Sequence, residues 1–248
     1  MGSKRNLRGC WMKIKIFSLL CFVMSLSVVA QEDRSKLSTE SFVALARKAL
    51  IGESWLKMKG NINTRPKEGK RARYPFTLTA LMRRDSLVVK TKLEGSVMKV
   101  AYSFGDAHST KELESKNKEL YDKLQLRPGD FSLSFMYWDL MKEYDVEHLG
   151  LARIKCRVFL LADPDENEYA KVWISEKYLG PVKVMWKTGS LDFDKPDRLL
   201  QFEGFTKKNN RSMPKEAYLK NAFGDMQIKF NEHEGDYGLK FPKDLFDF

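Results

Sequence analysis

Residues 87–104, LVVKTKLEGSVMKVAYSF, are two alternating runs around Gly95-Ser96. Glycine at the first central position of a two-residue turn has little steric cost, so these runs are expected to fold back as a β-hairpin. Counting out from that turn sets Leu93 against Met98, Thr91 against Val100, Val89 against Tyr102 and Leu87 against Phe104. Side chains alternate between the faces of a strand, so these eight share one face. Val88, Lys90 and Lys92 fall on the other, across from Ser103, Ala101 and Lys99. Lys92 and Lys99 would repel if directly opposed, which predicts a basic face open to water or to an anionic partner.

The same layout recurs along the chain. Phe76, Leu78, Ala80 and Met82 alternate with Thr77, Thr79 and Arg83. Ile154, Cys156, Val158 and Leu160 alternate with Arg153, Lys155 and Arg157, which places the first set on the apolar face. Val182, Val184 and Trp186 alternate with Lys183 and Lys187, and Met226, Ile228 and Phe230 with Gln227 and Lys229. One-sided alternation is what an antiparallel sheet with a single covered face requires. Function then turns on what covers that face.

The 248 residues carry a formal net charge of +11. The start reads as an export signal: basic Met12-Lys13-Ile14-Lys15, an apolar run Ile16 to Val29, and small residues up to Ala30 before Gln31. That run is shorter than the roughly 20 residues a spanning helix needs. Removing residues 1–30 takes five basic residues and Cys10 and Cys21 with it, leaving Cys156 and a charge of +6. A single remaining cysteine forms no internal disulfide, so the core alone must hold the fold. On its strand Cys156 reads as a small buried hydrophobe rather than a nucleophile.

A first helix is predicted over Thr39–Ile51, capped by Ser38 or Thr39 and ended by Gly52. Residues 65–73, RPKEGKRAR, read as a basic loop, either a solvated turn or an anion-binding rim. A second helix is predicted over about Thr110–Leu124, because Ser109 and Glu112 match a capping box. Residues 131–144, FSLSFMYWDLMKEY, fit a strand or a short helix equally well. Six further strands follow, over residues 154–161, 169–175, 182–188, 199–205, 213–219 and 226–230, with turn residues between them. The apolar residues of the tail, 241–248, are expected to pack down. Short connections and the absence of a repeat predict one domain, a meander curled into a partial barrel.

Catalytic patterns are scarce. His108, His148 and His233 lack metal-ligand spacing. No G-x-S-x-G elbow, P-loop or G-x-G-x-x-G occurs. Asp163, Asp165, Glu166 and Glu168 flank Pro164 between two strand-like runs, and read as a hairpin turn rather than paired catalytic carboxylates or a calcium loop. No cofactor or metal is expected, and no enzymatic activity. Nucleic acid is a poor fit, since lysines and apolar residues point to opposite faces and no stacking platform forms. What remains is a large apolar concavity, rich in Met and aromatics and served by few helices, which suits a lipid or acyl chain. The competing reading is a structural or partner-binding envelope protein whose interior is filled by its own side chains.

The order of these features resembles the outer-membrane lipoprotein-sorting family, the LolA-like and LolB-like carriers. A leader and a helix precede the meander. Then come Phe131-Ser-Leu-Ser-Phe-Met-Tyr-Trp138, the strand from Arg153 to Leu160 with Cys156, Val172-Trp173-Ile174, and Met213-Pro214-Lys215. The resemblance implies a mainly β (α+β) fold. It would be an incomplete antiparallel barrel of about 10–11 strands enclosing an apolar cavity, covered by two or three helices. It divides the chain into a signal peptide, 1–30, and a lipid-binding domain, 31–248. It implies a monomeric periplasmic carrier that shields lipoprotein acyl chains or another lipid without chemistry, and partners that are membrane-associated release or acceptor proteins. The residues expected to line the cavity are Leu78, Val89, Val100, Tyr102, Phe104, Val158, Val184 and Trp186. Carriers of this family hold their lid closed with an arginine, which the sequence alone does not place.

Overall fold

Two alternating halves of the chain meet at its first strand. The computed structural model describes residues 33–51, 53–104, 109–163, 166–208, 211–237 and 241–247, so the expected leader, residues 1–30, lies outside the described residues. Contacts divide the chain into Met1–Ser38 and Thr39–Phe248. In the first unit, Arg34–Lys36 makes one 3-10 turn, capped by Asp33, whose carboxylate accepts from the Ser35 N–H.

The second unit begins with α1 (Thr39–Ile51), as the cap pattern predicts. Five strands follow: β1 (Ser54–Pro66), β2 (Ala72–Met82), β3 (Ser86–Leu93), β4 (Ser96–Ser103) and β5 (Ser109–Lys116). A crossover then holds α2 (Glu119–Leu124), α3 (Gly129–Ser132) and a 3-10 turn, Ser134–Tyr137. Seven strands complete the unit: β6 (Asp139–Leu149), β7 (Ile154–Ala162), β8 (Glu168–Ser175), β9 (Pro181–Thr188), β10 (Arg198–Lys208), β11 (Arg211–Lys220) and β12 (Gly224–Tyr237). All twelve form one antiparallel sheet in the order β5-β4-β3-β2-β1-β12-β11-β10-β9-β8-β7-β6. The sheet stays open, which agrees with an incomplete barrel covered by helices.

The chain therefore starts mid-sheet at β1 and meanders out to the edge at β5. It jumps across to the opposite edge at β6 and meanders back until β12 pairs with β1. Residues 117–138 have to span the concave face to make that jump. The roof over the sheet is thus a consequence of strand order.

Three readings change. The predicted helix over Thr110–Leu124 is a strand for its first half; β5 pairs with β4 from Ser103↔Ser109 to Val97↔Lys116 and only Glu119–Leu124 is helical. Ladder hydrogen bonds to a ready edge outweigh a local capping pattern. Second, the β3–β4 hairpin turns at Glu94-Gly95, with Glu94 left-handed at φ 55, so that Thr91 faces Met98, Val89 faces Val100 and Leu87 faces Tyr102. This slip of two residues keeps every apolar side chain on the intended face, because the period is two. It also opposes Lys90 to Lys99. That face is not open there: the Lys90 ammonium donates to the Phe246 carbonyl at 2.8 Å, Lys99 lies 4.9 Å from the Phe246 ring centre, and Leu245 is buried.

Third, β7 presents the other set of side chains inward. Phe42 of α1 stacks on Phe159 at 5.8 Å, and the Arg157 guanidinium lies 4.6 Å from the Phe42 ring. Arg157, Phe159 and Leu161 therefore face the helix, and Cys156 and Val158 face away. Cys156 and Val158 join Trp173 in a second apolar cluster, flanked by Tyr144, Leu149 and Met185; Val182 belongs to it too, parted from Val184 and Trp186 by the bulge opposite Trp173 and Ile174. Lysines cap it, Lys171 and Lys183 lying 5.0 and 4.3 Å from the Trp173 ring centre. Oil thus lies on both faces at this end of the sheet.

The sheet bends where β1 and β12 slip register, between Lys59 and Gly60. A Cβ on Gly60 would lie 1.7 Å from the Lys229 carbonyl oxygen, so no other residue fits that close approach.

Candidate functional site

An apolar cavity of about 180 Å³ lies at the middle of the concave face, where β1 and β2 meet β10–β12. Alternation supplies its floor: Leu56 and Met58 from β1, Leu78 and Ala80 from β2, Leu200 from β10 and Ile228 from β12. Phe131 and Leu133 of the crossover border it from above. Asp130 also borders it, yet its carboxylate is taken up by Arg198, through Nε at 2.8 Å and Nη2 at 2.5 Å. The void itself is an apolar space without a free charge.

The roof is fastened by polar clasps. Asn221 donates through Nδ2 to the Leu124 and Gln125 carbonyls, both at 3.0 Å, and Arg198 Nη2 also reaches the Gln125 carbonyl at 2.7 Å. Asp130 Oδ2 accepts from the Arg127 N–H at 2.7 Å, while the Arg127 guanidinium pairs with Glu168 at 2.8 Å. The Tyr121 hydroxyl donates to Thr91 Oγ1 at 2.8 Å; burial pushes this phenol's pKa up to about 12. A loop laid over an apolar floor leaves its backbone carbonyls without water, and these side chains supply the missing partners.

The far end of the roof is held by Arg47 of α1. Its Nε donates to the Met136 carbonyl at 2.7 Å and its Nη2 to the Trp138 carbonyl at 2.6 Å. Burial lowers the pKa of this guanidinium, with Tyr137 and Asp139 acting the other way. The helix that carries Arg47 is itself tied to the sheet edge. Arg157 donates to Glu143 through Nε at 2.6 Å and Nη2 at 2.7 Å, and Thr39 donates to Glu143 Oε2 at 2.5 Å. These hydrogen bonds, Arg157 first, hold the Glu143 carboxyl below its ordinary pKa.

The structure scatters the eight residues expected to line the cavity. Leu78 lines it. Val89 and Val100 face each other across β3 and β4, one strand beyond the floor, and are buried. Tyr102 and Phe104 are sealed by Tyr137, whose ring centre lies 5.9 and 4.2 Å from theirs. Val184 is buried beside Leu200, and Trp186 is covered by the perpendicular Phe135 ring at 5.3 Å. Val158 is on the opposite face, in the Trp173 cluster. The clasp residues Arg47, Asp130, Arg198 and Asn221 carry no sequence signal of their role, because an isolated polar residue beside an apolar run looks the same in sequence whether it meets solvent or a distant carbonyl.

A second hollow, about 500 Å³, opens beside the basic loop, with Arg65, Arg71 and Lys220 together with Asp225 on its lining. Arg65 and Arg71 are exposed and the lining holds both signs, which is a solvated surface rather than a built anion site.

Solved structures share this architecture. A DUF1329 family protein from Desulfovibrio piger superposes with a TM-score of 0.57 at 8% identity, over 83% of this chain and 94% of that one. A putative outer membrane lipoprotein-sorting protein domain from Vibrio parahaemolyticus gives 0.55 at 11% identity, over 83% and 94%. A LolA superfamily protein from Nitrosomonas europaea gives 0.53 at 13% identity, over 86% and 98%. The fold is LolA-like. No protein-family model matches the chain, and no curated protein matches it.

Proposed function

We propose that this protein is a non-enzymatic carrier that shields a lipoprotein acyl chain, or the chain of another lipid, in its central cavity. The observation that carries the reading is an uncharged apolar void beneath a crossover whose backbone is held to the helix and the sheet by polar clasps. Such clasps release and re-form without unfolding the sheet. Each is worth about 1.5–3 kcal/mol where a charged group is involved. Each buried CH₂ of a ligand contributes about 0.8 kcal/mol. A chain burying about ten of them offsets the loss of several clasps, so exchange between a closed and a loaded state is energetically balanced. Arg47 is the residue we assign to the latch that carriers of this kind require.

The leader, if cleaved as the sequence suggests, delivers the carrier to the periplasm, and its partners there are membrane-associated proteins that release or accept lipoproteins. The test uses the full chain, exported in a bacterial host, purified, extracted with organic solvent and read by mass spectrometry. Co-purified acyl lipid, or saturable uptake of a fluorescent fatty acid, is the expected result. Protein that is ligand-free and ignores such acids overturns the reading.

One observation favours a filled interior instead: the cavity is below the roughly 300 Å³ at which drug-sized pockets begin. Arg47→Ala separates the two. A carrier exchanges lipid faster without its latch, whereas a filled protein only loses stability.

A further inference from the structure

We propose, resting on the carrier reading, that Phe131 and Leu133 are a built-in occupant of the cavity, displaced by a single unbranched apolar chain, and that they set how much of that chain the protein accepts. The segment that bears them is inside out by the usual rule. Asp130 and Ser132 are 3% and 1% exposed, while Phe131 and Leu133 between and after them are only half-buried and border the void. Ordinary core burial puts the apolar pair away and leaves the polar pair wet. Here Arg198 holds Asp130 in place, and so turns Phe131 toward the floor, where its ring lies 5.2 Å from Phe76.

The backbone supplies a second, independent sign. Leu133 sits at φ 55, the left-handed region, as the cap between α3 and the 3-10 turn. A bulky residue there is strained where glycine would be at ease. Strain of this kind persists when the surrounding structure imposes it, and it gathers at switches. Gln125, at the other end of the same stretch, is left-handed as well, at φ 52. Two left-handed joints bracket a stretch whose one helix has four residues, clasped to the sheet at Gln125 and at Asp130. Such a stretch swings as a unit once the Arg198–Asp130 pair opens, and a ligand then takes the place of its two apolar side chains.

The void sets the ligand class. About 180 Å³ of apolar space has room for part of one flexible chain, and Asp130, already paired, offers no partner to a headgroup, which stays outside. Displacing Phe131 and Leu133 lengthens the bore for the same chain.

The experiment measures Kd for straight-chain fatty acids of increasing length, by competition with cis-parinaric acid, on the full chain and on Phe131→Ala, Leu133→Gly and Arg47→Ala. In the wild type, affinity stops improving at a shorter chain than in Phe131→Ala or Leu133→Gly, and the longest chains bind about tenfold tighter to those two variants, because the plugged state no longer competes. Glycine relieves the left-handed backbone and offsets part of the lost burial, so Leu133→Gly loses less melting temperature than Phe131→Ala and separates plug removal from general loosening. Arg47→Ala speeds exchange without moving the length limit. Identical length limits in wild type, Phe131→Ala and Leu133→Gly overturn the plug and leave the carrier reading standing. No uptake by any of the four proteins overturns both.

Discussion

Cys156 is fully buried, and burial first, with Glu176 and Glu147 adding to it, pushes its thiol pKa up to about 12. Only the thiolate attacks, so Cys156 in the folded protein is expected to resist a chromogenic disulfide reagent at pH 8 and to react within minutes in guanidinium. Thr79 is equally buried, and its hydroxyl has no hydrogen-bond partner among the described residues. Thr79→Val removes an unsatisfied polar group at constant shape and should stabilise the fold by about 1 kcal/mol, visible as a raised urea midpoint at unchanged slope. Gly60→Ala forces a methyl group into the Lys229 carbonyl and should cost at least about 2 kcal/mol in the same measurement. That Cys156 is buried was readable from its place in an alternating run. Which face it is buried on was not, since Arg157 enters the interior only through Phe42 and Glu143, residues on other elements.

Among the elements, α1 depends on ionisation. Glu143 has a folded pKa below its ordinary value of 4.5, so its stabilising contribution is present above that value and is lost as pH falls through the folded one. Thermal melts of wild type and Glu143→Gln should differ most at neutral pH and converge as pH drops below about 4.5. A gap that stays constant down to pH 3 would refute the clamp. Removing the roof latch is a separate matter. Arg47→Ala leaves two carbonyls unpaired, about 1.5–3 kcal/mol. For a domain of this size that is a drop of roughly 3–12 °C in melting temperature. Strand existence was legible almost throughout, because period-two alternation is strong at β2, β3, β4, β9 and β12. There are two exceptions. Residues 131–144, which fit strand and helix equally well, divide into helical turns up to Tyr137 and then β6 from Asp139. β5 carries a capping pattern and no apolar alternation, and it became a strand because β4 offered it an edge.

For the molecule as a whole, the decisive feature is the order in which strands lie, with first and last strands paired at the centre and the crossover spanning both edges. Period-two alternation is a local property, so the sequence by itself determined that this chain makes a large one-sided antiparallel sheet with a helix ahead of it. It also determined the apolar set on that sheet's inner face at β2, β3, β4 and β12. The tertiary structure alone decided which face of β7 turns inward, that residues 117–138 form the roof, and how much void survives beneath it. The reason is distance along the chain. Arg47 meets Met136 across 89 residues, Arg198 meets Asp130 across 68 and Asn221 meets Leu124 across 97, and no local pattern encodes which polar residue will find which carbonyl.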